Sequence, residues 1–187
     1  MKEIKIFLVS FLMMKKEIGG VTMESKKITK ALCIIYLMFL TWIILFKMQF
    51  AFQELPDIRS INLIPFKESV MVNGKLQISE IIDNVLAFVP FGIFMGMLRE
   101  QATFWKRLVP IFGVSLLYEA FQYLFGIGAS DITDLLANTL GGILGIGIYL
   151  LAGRIFGKQV GKVLNVVCLV GAGFLILLVA LLIAVNL

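Results

Sequence analysis

Five long apolar stretches restrict more than any other feature what this chain can fold into. A helix needs about 20 mostly apolar residues to cross the hydrocarbon core of a bilayer. Stretches of that kind occupy about residues 31–52, 81–98, 108–126, 135–153 and 163–187. The composition agrees, since 60% of the residues are hydrophobic and 16% are charged, against about 25% charged in soluble proteins. We therefore predict an all-α fold, a polytopic membrane helical bundle with about five transmembrane helices.

The positions of the basic residues predict how this bundle is oriented. Lysine and arginine are enriched in cytoplasmic loops, and most of those in this chain fall in residues 1–30, 99–107 and 154–162. We expect these segments, and with them the N-terminus, to be cytoplasmic, and the loop 53–80 to be outside. The net charge of +5 then reflects membrane orientation, and we expect no nucleic-acid partner.

The same pattern divides the chain into three parts. Residues 1–30 form a basic cytoplasmic N-terminal segment, residues 31–152 a membrane domain, and residues 163–187 a C-terminal transmembrane helix. Met23 opens a second basic start. Residues 1–22 are therefore either an interfacial helix or a start-site artefact.

Missing residue types exclude several kinds of chemistry. The chain has no histidine, which excludes Ser–His–Asp triads and histidine-ligated metals. Cys33 and Cys168 lie in separate apolar stretches, so neither a disulfide framework nor a CxxC metal site is expected.

Polar side chains inside the apolar stretches identify the candidate functional residues, because burying them in lipid is costly. On the third stretch, three such residues share one helix face: Ser115, Glu119 and Gln122. On the fourth, polar and small residues recur every three or four positions: Asp131, Asp134, Asn138, Gly141 and Gly145. We predict that Asp131 caps the fourth helix with Asp134 in its first turn, and that the glycines let a neighbouring helix approach closely.

Glu119 and Asn138 each admit a structural and a functional interpretation. Asn138 either fixes helix packing through a hydrogen bond or belongs to a site. Glu119 lies within or next to the outer leaflet and needs a partner there. The expected partners are Gln122, Asn138 or an outer-loop cation such as Arg59 or Lys67.

The second stretch contributes Asn84 at its outer end and Pro90 near its middle. Proline removes the N–H that would bond the carbonyl of Leu86, so we expect a kink with an unmet acceptor. Together the polar residues predict an outward-facing cavity, ringed by Asn62, Asn84, Glu119, Gln122, Asp134 and Asn138.

Four motifs in this order and spacing resemble the VanZ-like family over roughly residues 32–152. They are Asn62-Leu63-Ile64-Pro65-Phe66, Asn84-Val85-Leu86-Ala87-Phe88-Val89-Pro90-Phe91-Gly92, Glu119 with Gln122, and Asp131-Ile132-Thr133-Asp134 leading to Asn138-Thr139-Leu140-Gly141-Gly142. Many members carry an arginine just before the Asp-x-x-Asp motif. This chain has Ala129 and Ser130 there, so no role of that arginine is carried over.

The resemblance implies a multi-pass cell-membrane protein of the Gram-positive envelope that contributes to tolerance of teicoplanin-type glycopeptides without a cofactor. A membrane lipid or a lipid-tailed glycopeptide is the expected ligand, and binding is favoured over enzymatic activity. One alternative is an intramembrane enzyme acting on a lipid-linked cell-wall precursor, with Glu119 and Asp134 as acid and base or as ligands of a divalent cation. The other is a small lipid or solute transporter. The candidate site residues are Asn62, Pro65, Phe66, Asn84, Pro90, Glu119, Gln122, Asp131, Asp134 and Asn138.

Overall fold

Five long helices make up most of the part of the chain that the structure describes. The computed structural model describes residues 23–46, 61–65, 71–72, 75–76, 78–127 and 130–186. The helices are α1 (Met23–Phe46), α2 (Ile78–Leu98), α3 (Phe104–Phe125), α4 (Ile132–Phe156) and α5 (Val160–Asn186). Two-residue strands pair as β1 (Ile61–Asn62) parallel to β4 (Ser130–Asp131), and β2 (Met71–Val72) antiparallel to β3 (Lys75–Leu76). The prediction of an all-α helical bundle is confirmed.

Each helix begins three to eight residues before the apolar stretch that predicted it. The added residues include Lys26, Lys27, Lys30 and Lys106, and lysine has a high helix propensity. Helical structure therefore continues beyond the apolar stretches into their polar flanks. The predicted outer end of the first stretch, residues 47–52, lies outside the described residues.

Four segments among the described residues are long and apolar enough to cross a membrane: Ser25–Leu45, Ile78–Leu98, Phe104–Phe125 and Ile132–Leu181. The last contains α4 and α5, joined by a 3-10 turn at Gly157–Gln159. At a rise of 1.5 Å per residue, its 50 residues would measure about 75 Å as one straight helix, more than twice a hydrocarbon core of about 30 Å. The contacts below show that α5 instead turns back along the bundle. Five crossings remain a prediction.

The predicted cytoplasmic segments meet at one end of the bundle, called here the basic end (residues 23–30, 99–107 and 154–165). Lys26 at the start of α1 forms a salt bridge of 2.7 Å with Glu100 between α2 and α3. Asn165 near the start of α5 donates a hydrogen bond of 2.9 Å to the Ser25 hydroxyl. The Arg107 guanidinium lies 5.7 Å from the ring centre of Tyr149, near the end of α4. That this end faces the cytoplasm remains a prediction.

The largest helix–helix interface among the described residues joins α2 and α4. A Cβ atom at Gly141 would lie 2.1 Å from the carbonyl oxygen of Val85, and one at Gly145 would lie 2.0 Å from that of Val89. Only hydrogen in place of Cβ allows the two backbones to come so near. The close approach predicted for these glycines is confirmed.

Both helices interrupted by proline recruit a side chain from elsewhere to bond a carbonyl before the proline. The Tyr36 hydroxyl of α1 donates to the carbonyl of Ala87, three residues before Pro90. Arg99 donates a hydrogen bond of 2.9 Å to the carbonyl of Lys106, four residues before Pro110. The unmet acceptor expected at Leu86 stays a prediction. At the adjacent carbonyl, that of Ala87, an intramembrane tyrosine supplies an additional donor.

Candidate functional site

At the end of the bundle opposite the basic end, α3 presents one polar face. Ser115, Glu119 and Gln122 are all buried on it, with 0%, 4% and 6% of their surfaces exposed. The helix then ends at Gly126, whose left-handed backbone (φ 67°) lets its N–H donate to the carbonyl oxygens of Gln122 and Tyr123. This tight ending, which glycine adopts without strain, returns the chain to the bundle at β4.

Pairing of β1 with β4 brings Asn62 beside Asp131. The Asn62 amide donates a hydrogen bond of 3.1 Å to Oδ2 of Asp131. The other carboxylate oxygen, Oδ1, accepts from the backbone N–H of Thr133 at 2.7 Å, which makes Asp131 the N-cap of α4. The capping role predicted for Asp131 is therefore confirmed, with Asp134 as the third residue of the helix.

Glu119 also contacts the start of α4, through a backbone N–H group. Its Oε2 accepts a hydrogen bond of 2.8 Å from the N–H of Asp131, and Asp134 lies near enough to act on it electrostatically. Gln122 and Asn138, the partners expected among the described residues, are engaged elsewhere. Arg59 and Lys67 lie outside the described residues.

Gln122 and Asn138 each use the amide nitrogen and leave the amide oxygen unpaired. Gln122 donates to the carbonyl of Ile44 on α1 at 3.2 Å, and Asn138 donates to the Ser115 hydroxyl at 2.9 Å. Oε1 of Gln122 and Oδ1 of Asn138 are buried without a hydrogen-bond partner. The bonded and unpaired groups together form what is called below the polar cluster: Asn62, Ser115, Glu119, Gln122, Asp131 and Asn138.

The remaining predicted residues lie around the polar cluster or apart from it. Asp134 and Asn84 are half-buried, Pro65 is exposed three residues after the end of β1, and Phe66 lies outside the described residues. Pro90 lines a separate apolar cavity of about 130 Å³ between α1, α2 and α5, together with Tyr36 and others. The polar residues themselves are buried, so the outward-facing cavity predicted among them remains a prediction.

Three groups that contribute to the cluster were not predicted as part of the site: the Ser115 hydroxyl, the Ile44 carbonyl and the backbone N–H of Asp131, whose side chain was predicted. Ser115 carried a usable signal, because it shares the helix face of Glu119 at a spacing of four residues. The Ile44 carbonyl and the Asp131 N–H carried none, because every residue except proline has both groups and only the tertiary structure shows which ones meet a polar side chain.

Comparison with known proteins supports the resemblance seen in the motifs. The VanZ/LLP1 family model matches residues 33–156. Protein VanZ of Enterococcus faecium is 35% identical over 156 residues, which cover 82% of this chain and 92% of that protein. No solved structure matches the chain. The family match contains α2, α3, α4 and the whole polar cluster, and the chain belongs to the VanZ/LLP1 family.

Proposed function

We propose that this protein acts in the cell membrane in tolerance of teicoplanin-type lipoglycopeptides, and that the polar cluster binds the head group of a lipid or of an acylated ligand. Family membership and the apolar helices support a role in the membrane. The teicoplanin component rests on the family resemblance. The observation that carries the binding role is the pair of buried, unpaired amide oxygens beside the Glu119 carboxylate.

Two buried acceptors without partners lower the stability of the folded protein if they serve only helix packing. A buried acceptor left without a hydrogen bond costs about 1–3 kcal/mol. Leucine at Gln122 or Asn138 would avoid that cost, although it would also lose the hydrogen bond that each amide donates. The presence of amides at both positions, on either side of a buried carboxylate, therefore favours a ligand that completes their hydrogen bonds.

Susceptibility of a deletion strain carrying variant genes tests this proposal. Glu119→Leu and Asn138→Leu should lose teicoplanin tolerance at normal membrane levels, with little change for vancomycin. Asn165→Leu is the matched control, because it removes a buried amide at the basic end, away from the polar cluster. Full tolerance in both cluster variants, or an equal loss in the control, would refute the assignment.

The proximity of Asp134 to Glu119 favours one alternative, an intramembrane enzyme acting on a lipid-linked cell-wall precursor. Two neighbouring carboxyl groups can divide the roles of acid and base between them. Glu119→Gln separates the two functions, because an amide can hydrogen-bond but cannot transfer a proton. Turnover of a prenyl-linked precursor by the purified protein, lost in Glu119→Gln, would establish the enzyme.

A further inference from the structure

We infer that the polar cluster recognises the hydrogen-bond donors of a head group, its ammonium or hydroxyl groups, and not its phosphate. This inference rests on the proposed function, because it names the chemistry of the ligand that the polar cluster would bind. It follows from the hydrogen bonds and charges of the cluster.

The side-chain amides of the cluster already donate inside the protein. Those of Asn62, Gln122 and Asn138 donate to Asp131, to the Ile44 carbonyl and to Ser115, respectively. The two side-chain atoms of the cluster left without partners are both acceptors, namely Oε1 of Gln122 and Oδ1 of Asn138. A ligand that completes this set must therefore bring donors.

The charge of the cluster also favours a ligand that brings hydrogen-bond donors. Glu119 and Asp131 are 4% and 6% exposed, and Asp134 lies close by. The donors that Glu119 and Asp131 accept from in the described structure are neutral: backbone N–H groups, the Asn62 amide and the Ser130 hydroxyl. A phosphate would place a further negative charge and more acceptors beside them, whereas an ammonium group complements them on both counts.

The length of the cluster indicates a ligand with more than one donor. Gln122 lies seven residues after Ser115 on α3, which corresponds to about 10 Å along the helix. Asn138 meets Ser115 at one end of this row, and Gln122 marks the other. A head group with several N–H or O–H groups matches a row of this length better than a single small ion does.

Strand β1 supplies a route from the membrane to these groups. Its Asn62 is 5% exposed and bonded to Asp131, whereas Ile61 and Leu63 beside it are 55% and 71% exposed. The strand thus places an amide donor on a cluster carboxylate and turns apolar side chains outward. A head group entering from the outer leaflet would take the place of that amide on Asp131.

Matched lipids test the inference with the full-length protein in nanodiscs. Phosphatidylethanolamine and phosphatidylcholine differ in the three N–H donors that methylation removes. A diglucosyl diacylglycerol offers hydroxyl donors. Phosphatidic acid offers a phosphate with neither an ammonium group nor a sugar hydroxyl. Native mass spectrometry after detergent extraction measures which lipid is retained. We expect at least one donor-bearing lipid to be retained about tenfold or more over phosphatidylcholine and phosphatidic acid, the preference that one added buried hydrogen bond gives.

Variants test whether this lipid preference depends on the two unpaired amide oxygens. Asn138→Leu and Gln122→Leu should bring the retention ratio close to one. Each removes an unsatisfied acceptor together with one donated hydrogen bond, so the thermal unfolding midpoint of the lipid-free protein should fall less than in Asn165→Leu. Asn138→Asp keeps an oxygen and should keep the preference, as should the control Asn165→Leu.

Equal retention of all four lipids, preference for phosphatidic acid, or an unchanged ratio in both leucine variants would overturn the inference. The proposed function fails separately, when the cluster variants keep full teicoplanin tolerance in cells. Preference for the ethanolamine lipid or for the glucosyl lipid identifies which source of donors the cluster takes.

Discussion

Replacing Gly145 by alanine tests whether the close approach of α2 and α4 holds the bundle together. The new Cβ atom would lie 2.0 Å from the carbonyl oxygen of Val89 and 2.8 Å from the Cα atom of Gly92. Both neighbours are backbone atoms, which cannot rotate away as a side chain would. The two helices must therefore separate by about 1.4 Å to restore ordinary van der Waals contact.

The expected loss of stability follows from that displacement. A gap of about 1 Å already forfeits up to half of the dispersion energy of the contacts that face it, and overpacked substitutions cost about 1–3 kcal/mol. Clashes with three backbone atoms, the third being the nitrogen of Ile93 at 2.9 Å, put the cost of Gly145→Ala at about 3 kcal/mol. Added helix propensity offsets about 1 kcal/mol of it. The net expectation is a loss of about 2 kcal/mol.

Gly147 on the same helix provides the control. A Cβ atom there would meet nothing within 4 Å, so Gly147→Ala should gain about 1 kcal/mol from helix propensity. Reversible unfolding in mixed micelles, followed by far-UV circular dichroism, compares the two variants. Equal unfolding free energies for Gly145→Ala and Gly147→Ala would refute the reasoning.

Three further predictions concern the ends of the bundle. Asp131→Asn keeps the helix cap but places an amide NH₂ group opposite that of Asn62, so we expect the unfolding free energy to fall by about 1 kcal/mol. Adding Asn62→Asp should restore it in a double-mutant cycle, and additive losses would contradict the pairing. Asn165→Leu should lower the unfolding free energy by about 1–2 kcal/mol, and an unchanged value would show that its bonds to α1 contribute nothing. Single cysteines at 99–107 or 154–162 should react with an impermeant maleimide only after permeabilisation; labelling of intact cells would reverse the predicted orientation.

Features that depend on neighbouring residues could be predicted from the sequence. Asp131 stands directly before a helix, and its carboxylate reaches the N–H two residues later, so capping is a local property. Gly141 and Gly145 recur on one helix face, which predicts a close contact without naming the partner. The position of Pro90 predicted disturbed bonding in α2 with an unmet acceptor at Leu86, and the added donor from Tyr36 lies at the adjacent carbonyl of Ala87.

The sequence by itself therefore determined the apolar helices, the basic segments between them, the cap of α4 and the polar face of α3. Only the tertiary structure decided which groups meet on that face. Asn62 and Asp131 are 69 positions apart in sequence and bond through the pairing of β1 with β4. Glu119 and Gln122 bond to a backbone N–H and a backbone carbonyl, which side-chain patterns do not distinguish from others. Periodicity follows from the geometry of one helix, whereas these bonds depend on how separate segments pack together.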